Sequence, residues 1–458
     1  MKRWGRACGF VMLVLVFVLF GIALLDQPAD PVFEGKLASQ WSHELLNSNA
    51  AIREKAEEAL KAFGEPGVPQ LRALLRRRNG PWEKPLLVLN RFVPFLNYSA
   101  VNADACRVAA ARVLGKLGGR GHAAAPDLVA GLRFELSAAE SERALLSIGA
   151  AAIPAVEGGV SARDVQVRFR SARLLREFHA ANQSSIRVLV DATSDKFSRV
   201  RREAAASIGE IVARNRNLIC DDRSAVEAIV ALGEDSASEV RAGAMQCLGR
   251  IGIDNPQVMS SLRKGLCDDD VEVKLESAKA LWALCKLSEE VLPVLISVLE
   301  TPERWRAAYA LAEMGSSAAP AIPALLKLLV EERVPRPFRT PPSSALALGK
   351  IGAMAVPELA RTLENPDSGV RMNALMALNF MGAAGQTAVP NLIQLLEDKN
   401  AEIRHTTALT LATIGVEPSA IIAGLSDCLQ AEDIYMRSAA AAHLRRIAPD
   451  QNWVVPAE

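Results

Sequence analysis

The stretch Val240-Arg241-Ala242-Gly243-Ala244-Met245-Gln246-Cys247-Leu248-Gly249-Arg250-Ile251-Gly252 decides the fold. Counting from Arg241, apolar or small side chains fall at −1, +3, +4, +7 and +10, the spacing of one face of a 3.6-residue helix. Glycine follows at +8 and +11. The same phrase returns as Val370-Arg371 through Ala374 and Leu378 to Met381 and Gly382. The basic position can be followed through Arg53, Arg107, Arg168, Arg201, Arg241, Lys274, Arg304, Arg371, Arg404 and Arg437, with Ala138 and Pro341 in register where the residue type is lost. Most of the twelve recurrences are 30 to 33 residues apart, with gaps of 54, 40 and 37 as exceptions. Self-similarity at this period specifies stacked units, because one helical hairpin cannot hide its apolar side alone.

Each unit is expected to hold two helices. The phrase itself forms the second, buried helix. The first helix starts where proline follows a small or β-branched residue, as in Val68-Pro69, Ile153-Pro154, Ile322-Pro323, Val356-Pro357 and Val389-Pro390. Proline suits the first turn because its missing N–H would be unpaired there anyway. Glycine at +11 suits a helix end, since it takes the left-handed conformation without a Cβ clash. Half of the residues are hydrophobic and only 5% are aromatic, as fits an alanine- and leucine-rich stack, and strand signals are nearly absent. The expected fold class is an all-α solenoid of about twelve helical hairpins over residues 37–448, preceded by a transmembrane helix and followed by a tail at 449–458.

The repeats resemble HEAT repeats, and their wording is most similar to the phycobilisome-lyase type of HEAT-like repeat. This resemblance implies a fold and leaves function open, because such arrays serve as scaffolds, adaptors and occasional enzymes. It also implies that an aspartate in the turn before the second helix pairs with the arginine of a neighbouring unit. Asp195, Asp235, Asp268 and Asp398 stand six residues before Arg201, Arg241, Lys274 and Arg404, with Asn365 equivalent before Arg371. This ladder is expected to hold the stack together, since charges at a constant register usually serve the repeat itself. Trp282, Asn379 and Arg445 replace the small residue at +8, and Cys285 and His179 replace glycine at +11, so packing should differ there.

At the amino terminus, Lys2, Arg3 and Arg6 in a basic tip (residues 1–6) precede an uncharged apolar run from Ala7 to Leu25. Nineteen such residues suffice to span a bilayer. Positive residues stay cytoplasmic, which would put everything after Asp26 on the far side. The alternative is a cleaved secretory signal ending near Gly21-Ile22-Ala23. Either reading exports the solenoid, with residues 26–36 as a polar linker. The six cysteines outside the anchor (Cys106, Cys220, Cys247, Cys267, Cys285 and Cys428) show no C-x-x-C pair or metal-ligand spacing. They read as buried free thiols, with a bridge among Cys220, Cys247, Cys267 and Cys285 as the alternative.

Breaks in the period mark candidate binding features. An insertion over 79–103 carries Trp82, Phe92, Phe95 and Tyr98, and insertions in solenoids map to one face, often the binding face. A Pro- and Arg-rich loop over 333–342 carries Arg336 and Arg339. The plain alternatives are packing against neighbouring repeats and a solvated loop. Charge is zoned although the total is +1: 10 basic against 2 acidic residues from Arg72 to Arg120, and 8 against 15 from Asp221 to Glu300. Such zoning steers partners or meets anionic headgroups.

Catalytic signatures are missing from the sequence. There is no Walker-type loop, no H-E-x-x-H and no G-x-S-x-G. Gly119-Arg120-Gly121-His122-Ala123-Ala124 matches a dinucleotide-binding pattern but follows a helix instead of a strand. No cofactor, metal, nucleic acid or small-molecule substrate is expected. The expected function is a non-catalytic scaffold, tethered to the membrane outside the cytoplasm, that binds a protein or peptide. The alternative, implied by the resemblance alone, is an accessory enzyme of the bilin-lyase kind.

Overall fold

The computed structural model describes residues 30–78, 103–215, 217–220, 223–332, 341–416, 422, 425, 426, 429, 430, 434–448, 450, 451 and 453. The expected anchor at 7–25 and its basic tip lie outside the described residues, as do 79–102 and 333–340. The chain forms two compact units, Met1–Ala228 and Ile229–Glu458.

The first unit opens with a hairpin of β1 (Val32–Phe33) and β2 (Lys36–Leu37), paired Val32 to Leu37 and Phe33 to Lys36. Helices α1 (Ala38–Glu44), α2 (Ala50–Phe63), α3 (Val68–Arg76), α4 (Ala103–Leu117), α5 (Ala125–Gly131), α6 (Glu135–Ile148), α7 (Ile153–Val160), α8 (Val165–Glu177), α9 (Gln183–Ala192), α10 (Ser198–Arg214) and α11 (Asn217–Cys220) follow. Helix α12 (Arg223–Leu232) straddles the unit boundary. The hairpin lies within the stretch expected as a polar linker, 26–36, of which 30–36 are described. Glu34 and Gly35 have φ of 48° and 75°, the paired left-handed conformation of a tight two-residue turn. Trp41 Nε1 donates to the Phe33 carbonyl at 3.0 Å, and Phe33 meets Phe63 edge-on at 5.8 Å between ring centroids. Strands of two residues are too short to show an alternating pattern, so the sequence carried no sign of them.

The second unit holds α13 (Ser238–Ile251), α14 (Pro256–Leu266), α15 (Val271–Cys285), α16 (Ser288–Val298), α17 (Arg304–Met314), α18 (Ile322–Glu331), α19 (Ser343–Ile351), α20 (Val356–Thr362), α21 (Ser368–Met381), α22 (Val389–Leu395), α23 (Ala401–Ile414) and α24 (Ile434–Ile447). In both units the repeat phrase forms the second helix of each hairpin. The +7 side chain has no exposed surface in any repeat, from Leu60 through Leu248 to Leu444, and neither does the +3 side chain, from Ala56 through Ala244 to Ala440. Burying one leucine-sized side chain stabilises the fold by roughly 1.5–3 kcal/mol. The small +3 residues let the paired helices approach: a Cβ on Gly159 or Gly265 would meet the hydroxyl of Ser171 or Ser277, both at +3. Helices α3, α7, α18, α20 and α22 begin at the valine or isoleucine before proline, with proline in the first turn.

Among the described residues, eight of the nine glycines with positive φ, Gly64, Gly118, Gly149, Gly252, Gly315, Gly352, Gly382 and Gly415, stand at +11 and end their helices there; the ninth is the hairpin's Gly35. Where +11 is Val212, helix α10 runs on to Arg214. Where it is Cys285, the next residue, Lys286, takes the left-handed cap at φ 55°.

Candidate functional site

Arg168, Arg241 and Arg371 each use the guanidinium twice. Arg241 Nη1 donates to the carbonyls of Asp235 at 2.9 Å and Ser236 at 3.4 Å, closing the turn of its own repeat. Its Nε and Nη2 reach Asp268, 27 residues on, at 2.8 and 2.7 Å. Arg168 holds Asp195 in the same way at 2.5 and 3.1 Å, and Arg371 Nη2 holds Asp398 at 3.1 Å. The aspartate also shapes its turn: Asp195, Asp235, Asp268 and Asp398 accept the N–H two residues on, from Phe197, Ala237, Asp270 and Asn400, at 2.8 to 2.9 Å. Arg201 and Arg404 make the carbonyl bonds to Asp195 and Asp398 at 2.9 and 2.8 Å. Lys274, with one ammonium in place of a fork, makes none of them. The hydrogen bond from Arg241 is the main cause that holds the Asp268 carboxyl below the usual range. For Asp195, burial pulls upward, but the bonds from Arg168 and the Phe197 N–H outweigh it and the carboxyl is lowered. The forks of Arg168, Arg241 and Arg371 reach from one repeat to the next, so these pairs join neighbouring repeats.

Sequence candidates Trp82, Phe92, Phe95, Tyr98, Arg336 and Arg339 lie outside the described residues. The base of the Pro- and Arg-rich loop is braced: Glu332 accepts from Ser343 Oγ at 2.7 Å and from the Ser344 hydroxyl, while Asn373 Nδ2 donates to the carbonyls of Leu329 and Glu332, both at 2.9 Å. Among the described cysteines, Cys106 and Cys247 are buried and Cys285 is half-buried. Cys267 is an exposed thiol, which corrects its reading as buried.

A feature that the sequence reading passed over lies on the outer side of the second helices in the second unit. Position +5 falls opposite the buried arc set by +3, +4, +7 and +10. In the first unit that position holds Glu58, Arg112, Arg143 and Arg173, and then Ala206. In the second it holds Gln246 and Lys279, then Tyr309, Leu346, Met376 and Leu409, and last Ala442; the four larger apolar residues stand on α17, α19, α21 and α23, which pack side by side in that order. Tyr309 is 42% exposed and the other three are half-buried. Trp305, 51% exposed, meets Tyr309 edge-on at 6.1 Å, and Phe380, 40% exposed, extends the apolar surface from α21. Neighbouring helices lie ~8–10 Å apart, so these side chains form a row across four repeats. Comparing +5 between repeats would have revealed it, since charged residues give way to apolar ones there. A smaller depression of about 170 Å³ on the first helices is ringed by charges already paired, Arg304 with Glu331 and Lys327 with Glu300 at 3.0 and 3.1 Å.

The family model of the PBS lyase HEAT-like repeat matches residues 303–331. Comparison with curated proteins finds no match. Among solved structures, importin β in an ammonium sulfate condition is 15% identical over 90% of this chain and 55% of its own, with a TM-score of 0.56. A structure of the yeast importin-β Kap95p, in which its binding switches the loops of RanGDP, is 14% identical over 90% and 55% of the two chains, with a TM-score of 0.52. The chain thus spans about half the length of the importin-β structures that it matches. The complex of CpcE and CpcF of phycocyanin lyase from Nostoc sp. PCC7120 is 24% identical over 34% of this chain and 98% of its own, with a TM-score of 0.31. The repeats are HEAT repeats, and the likeness to importin β is one of fold.

Proposed function

We propose that this protein is a non-catalytic scaffold that holds a protein or peptide against the second-helix face of its second unit. The observation that carries the reading is the row Tyr309, Leu346, Met376 and Leu409, with Trp305 and Phe380 beside it. Exposed apolar side chains in contiguous rows mark interaction surfaces more often than chance exposure does, and aromatic residues supply large contact area at small entropic cost. The HEAT-repeat fold supports the same reading, since the Kap95p structure is of a protein bound to RanGDP. We further propose that residues 7–25 tether the protein to a membrane, with the solenoid outside the cytoplasm, on the strength of the basic tip and the length of the apolar run.

The test places a photo-crosslinking amino acid at Tyr309 or Phe380, and as a control at Arg143, the +5 position of a first-unit repeat. Adducts at the first two positions and not at Arg143 are expected in envelope fractions. Equal labelling at all three, or none at Tyr309 and Phe380, would overturn the reading. Protease added to intact cells should remove the solenoid; protection of the solenoid would refute the export. The match at residues 303–331 favours one second reading, an accessory enzyme resembling bilin lyases. Incubation with bilin and an acceptor protein decides it by the presence or absence of a covalent adduct.

A further inference from the structure

A cavity of about 350 Å³ opens in the first unit between the end of α3 and the body of α5. On its wall stands Asp127, only 9% exposed, whose carboxylate accepts from Arg72 Nε at 2.6 Å and Arg76 Nε at 2.5 Å. Both cations are therefore held by one carboxylate, and the trio keeps a net positive charge. Arg77, Arg78 and Arg133 line the same cavity, and none of the three forms an ion pair with a described residue. Their surroundings are organised in advance. Arg107 is buried, donates Nη1 to the Arg77 carbonyl at 2.7 Å and pairs with Asp104 at 2.5 Å. Its guanidinium carbon lies 3.8 Å from the ring centre of Phe134, and that of Arg133 lies 4.5 Å from the same ring. The backbone that carries Arg77 is thus pinned, and Arg133 is laid on an aromatic plate.

We propose that this cavity binds an acidic peptide segment, with Asp or Glu carboxylates seated among Arg77, Arg78 and Arg133. Guanidinium forks match carboxylates in bidentate geometry, and Arg72, Asp127 and Arg76 already display that pairing at the cavity wall. A ligand carboxylate continues the alternation of charge. The ring of Phe134 is engaged by guanidinium groups, which leaves no free aromatic face for a nucleobase. Apolar surface from Leu75 and Ala130 meets the methylene groups of a glutamate, and the volume accommodates several residues instead of one small ion. Ordering paid in the free protein lowers the cost of binding. The site lies in the other unit from the apolar row and does not depend on it.

The test uses the full-length chain in detergent and a fluorescein-labelled octaglutamate, followed by anisotropy at 150 mM salt. Saturable binding is expected, with Arg78→Glu/Arg133→Glu weakening it at least tenfold. Arg163→Glu/Arg187→Glu, which reverses two exposed arginines elsewhere in the unit, should change it less than threefold. Circular dichroism checks that both variants stay helical, and gain of octalysine binding by the first variant would restore the interaction with charges exchanged. The proposal fails if octaglutamate does not saturate, if both double variants lose equally, or if millimolar inorganic phosphate or phosphatidylglycerol vesicles displace the peptide through the same arginines.

Discussion

At the scale of single residues, the repeat depends on positions where a side chain is excluded. A Cβ on Gly349 would stand 2.5 Å from Phe380 Cβ and 2.9 Å from the Ala377 carbonyl oxygen, atoms that cannot swing aside. Gly349→Ala should therefore cost about 1–3 kcal/mol by overpacking. Gly158 sits in α7 with nothing within 4 Å of its would-be Cβ, so Gly158→Ala should stabilise by roughly 0.5–1 kcal/mol through the unfolded chain. Urea unfolding of the two variants checks the opposite signs. The ladder predicts a pH effect. Asp195 and Asp268 have lowered folded-state values, so their contribution is fully present above the ordinary aspartate range near pH ~4. It is lost as pH falls through the folded values. Asp268→Asn should cost about 2 kcal/mol at pH 7 and should flatten the decline between pH 5 and pH 3. Parallel pH profiles for the variant and the parent would contradict this. The basic register and its aspartates were legible from residue type and spacing alone. That Arg53, Arg168, Arg201, Arg241, Arg371 and Arg404 also close their own turns through carbonyls was not, because backbone acceptors leave no mark in the sequence.

At the scale of elements, helix ends follow the +11 residue. Lys286 takes on the conformation that glycine holds elsewhere, and a left-handed backbone costs an L-residue roughly 1–2 kcal/mol. Its ammonium lies 4.7 Å from the Trp282 ring centre, a contact that offsets part of the strain. Lys286→Gly should raise stability by about 0.5–1 kcal/mol net, read as a higher unfolding midpoint; a lower midpoint would mean that the cation–ring contact outweighs the strain. The proline starts, glycine stops and buried arcs of the helices were all readable, because each is a local rule. The opening hairpin was not, since what holds Val32–Phe33 and Lys36–Leu37 in place is Trp41 and Phe63 from two later helices.

At the scale of the whole molecule, each repeat touches mainly its neighbours, so damage should stay local. Ala244 has no exposed surface, and Ala244→Glu would bury an unpaired carboxylate at a cost of ~3–5 kcal/mol. Hydrogen exchange by segment should show lost protection centred on residues 229–285, with the helices between residues 103 and 192 unchanged; a uniform loss would refute the modular picture. The amino-acid sequence alone determined the repeat, its twelve registers, the helix boundaries and the all-α class, because a strong local period leaves one way to bury its apolar side. Tertiary structure alone decided the arginine cavity on the first unit and set side by side the residues of the row on the second. Tyr309, Leu346, Met376 and Leu409 are 30 to 37 residues apart in sequence and meet only when their helices stack. Arg77 and Arg133 stand beside Asp127 without pairing with it, because Arg72 and Arg76 already occupy its carboxylate. Which charges remain unpaired depends on every neighbour at once, and only packing settles that.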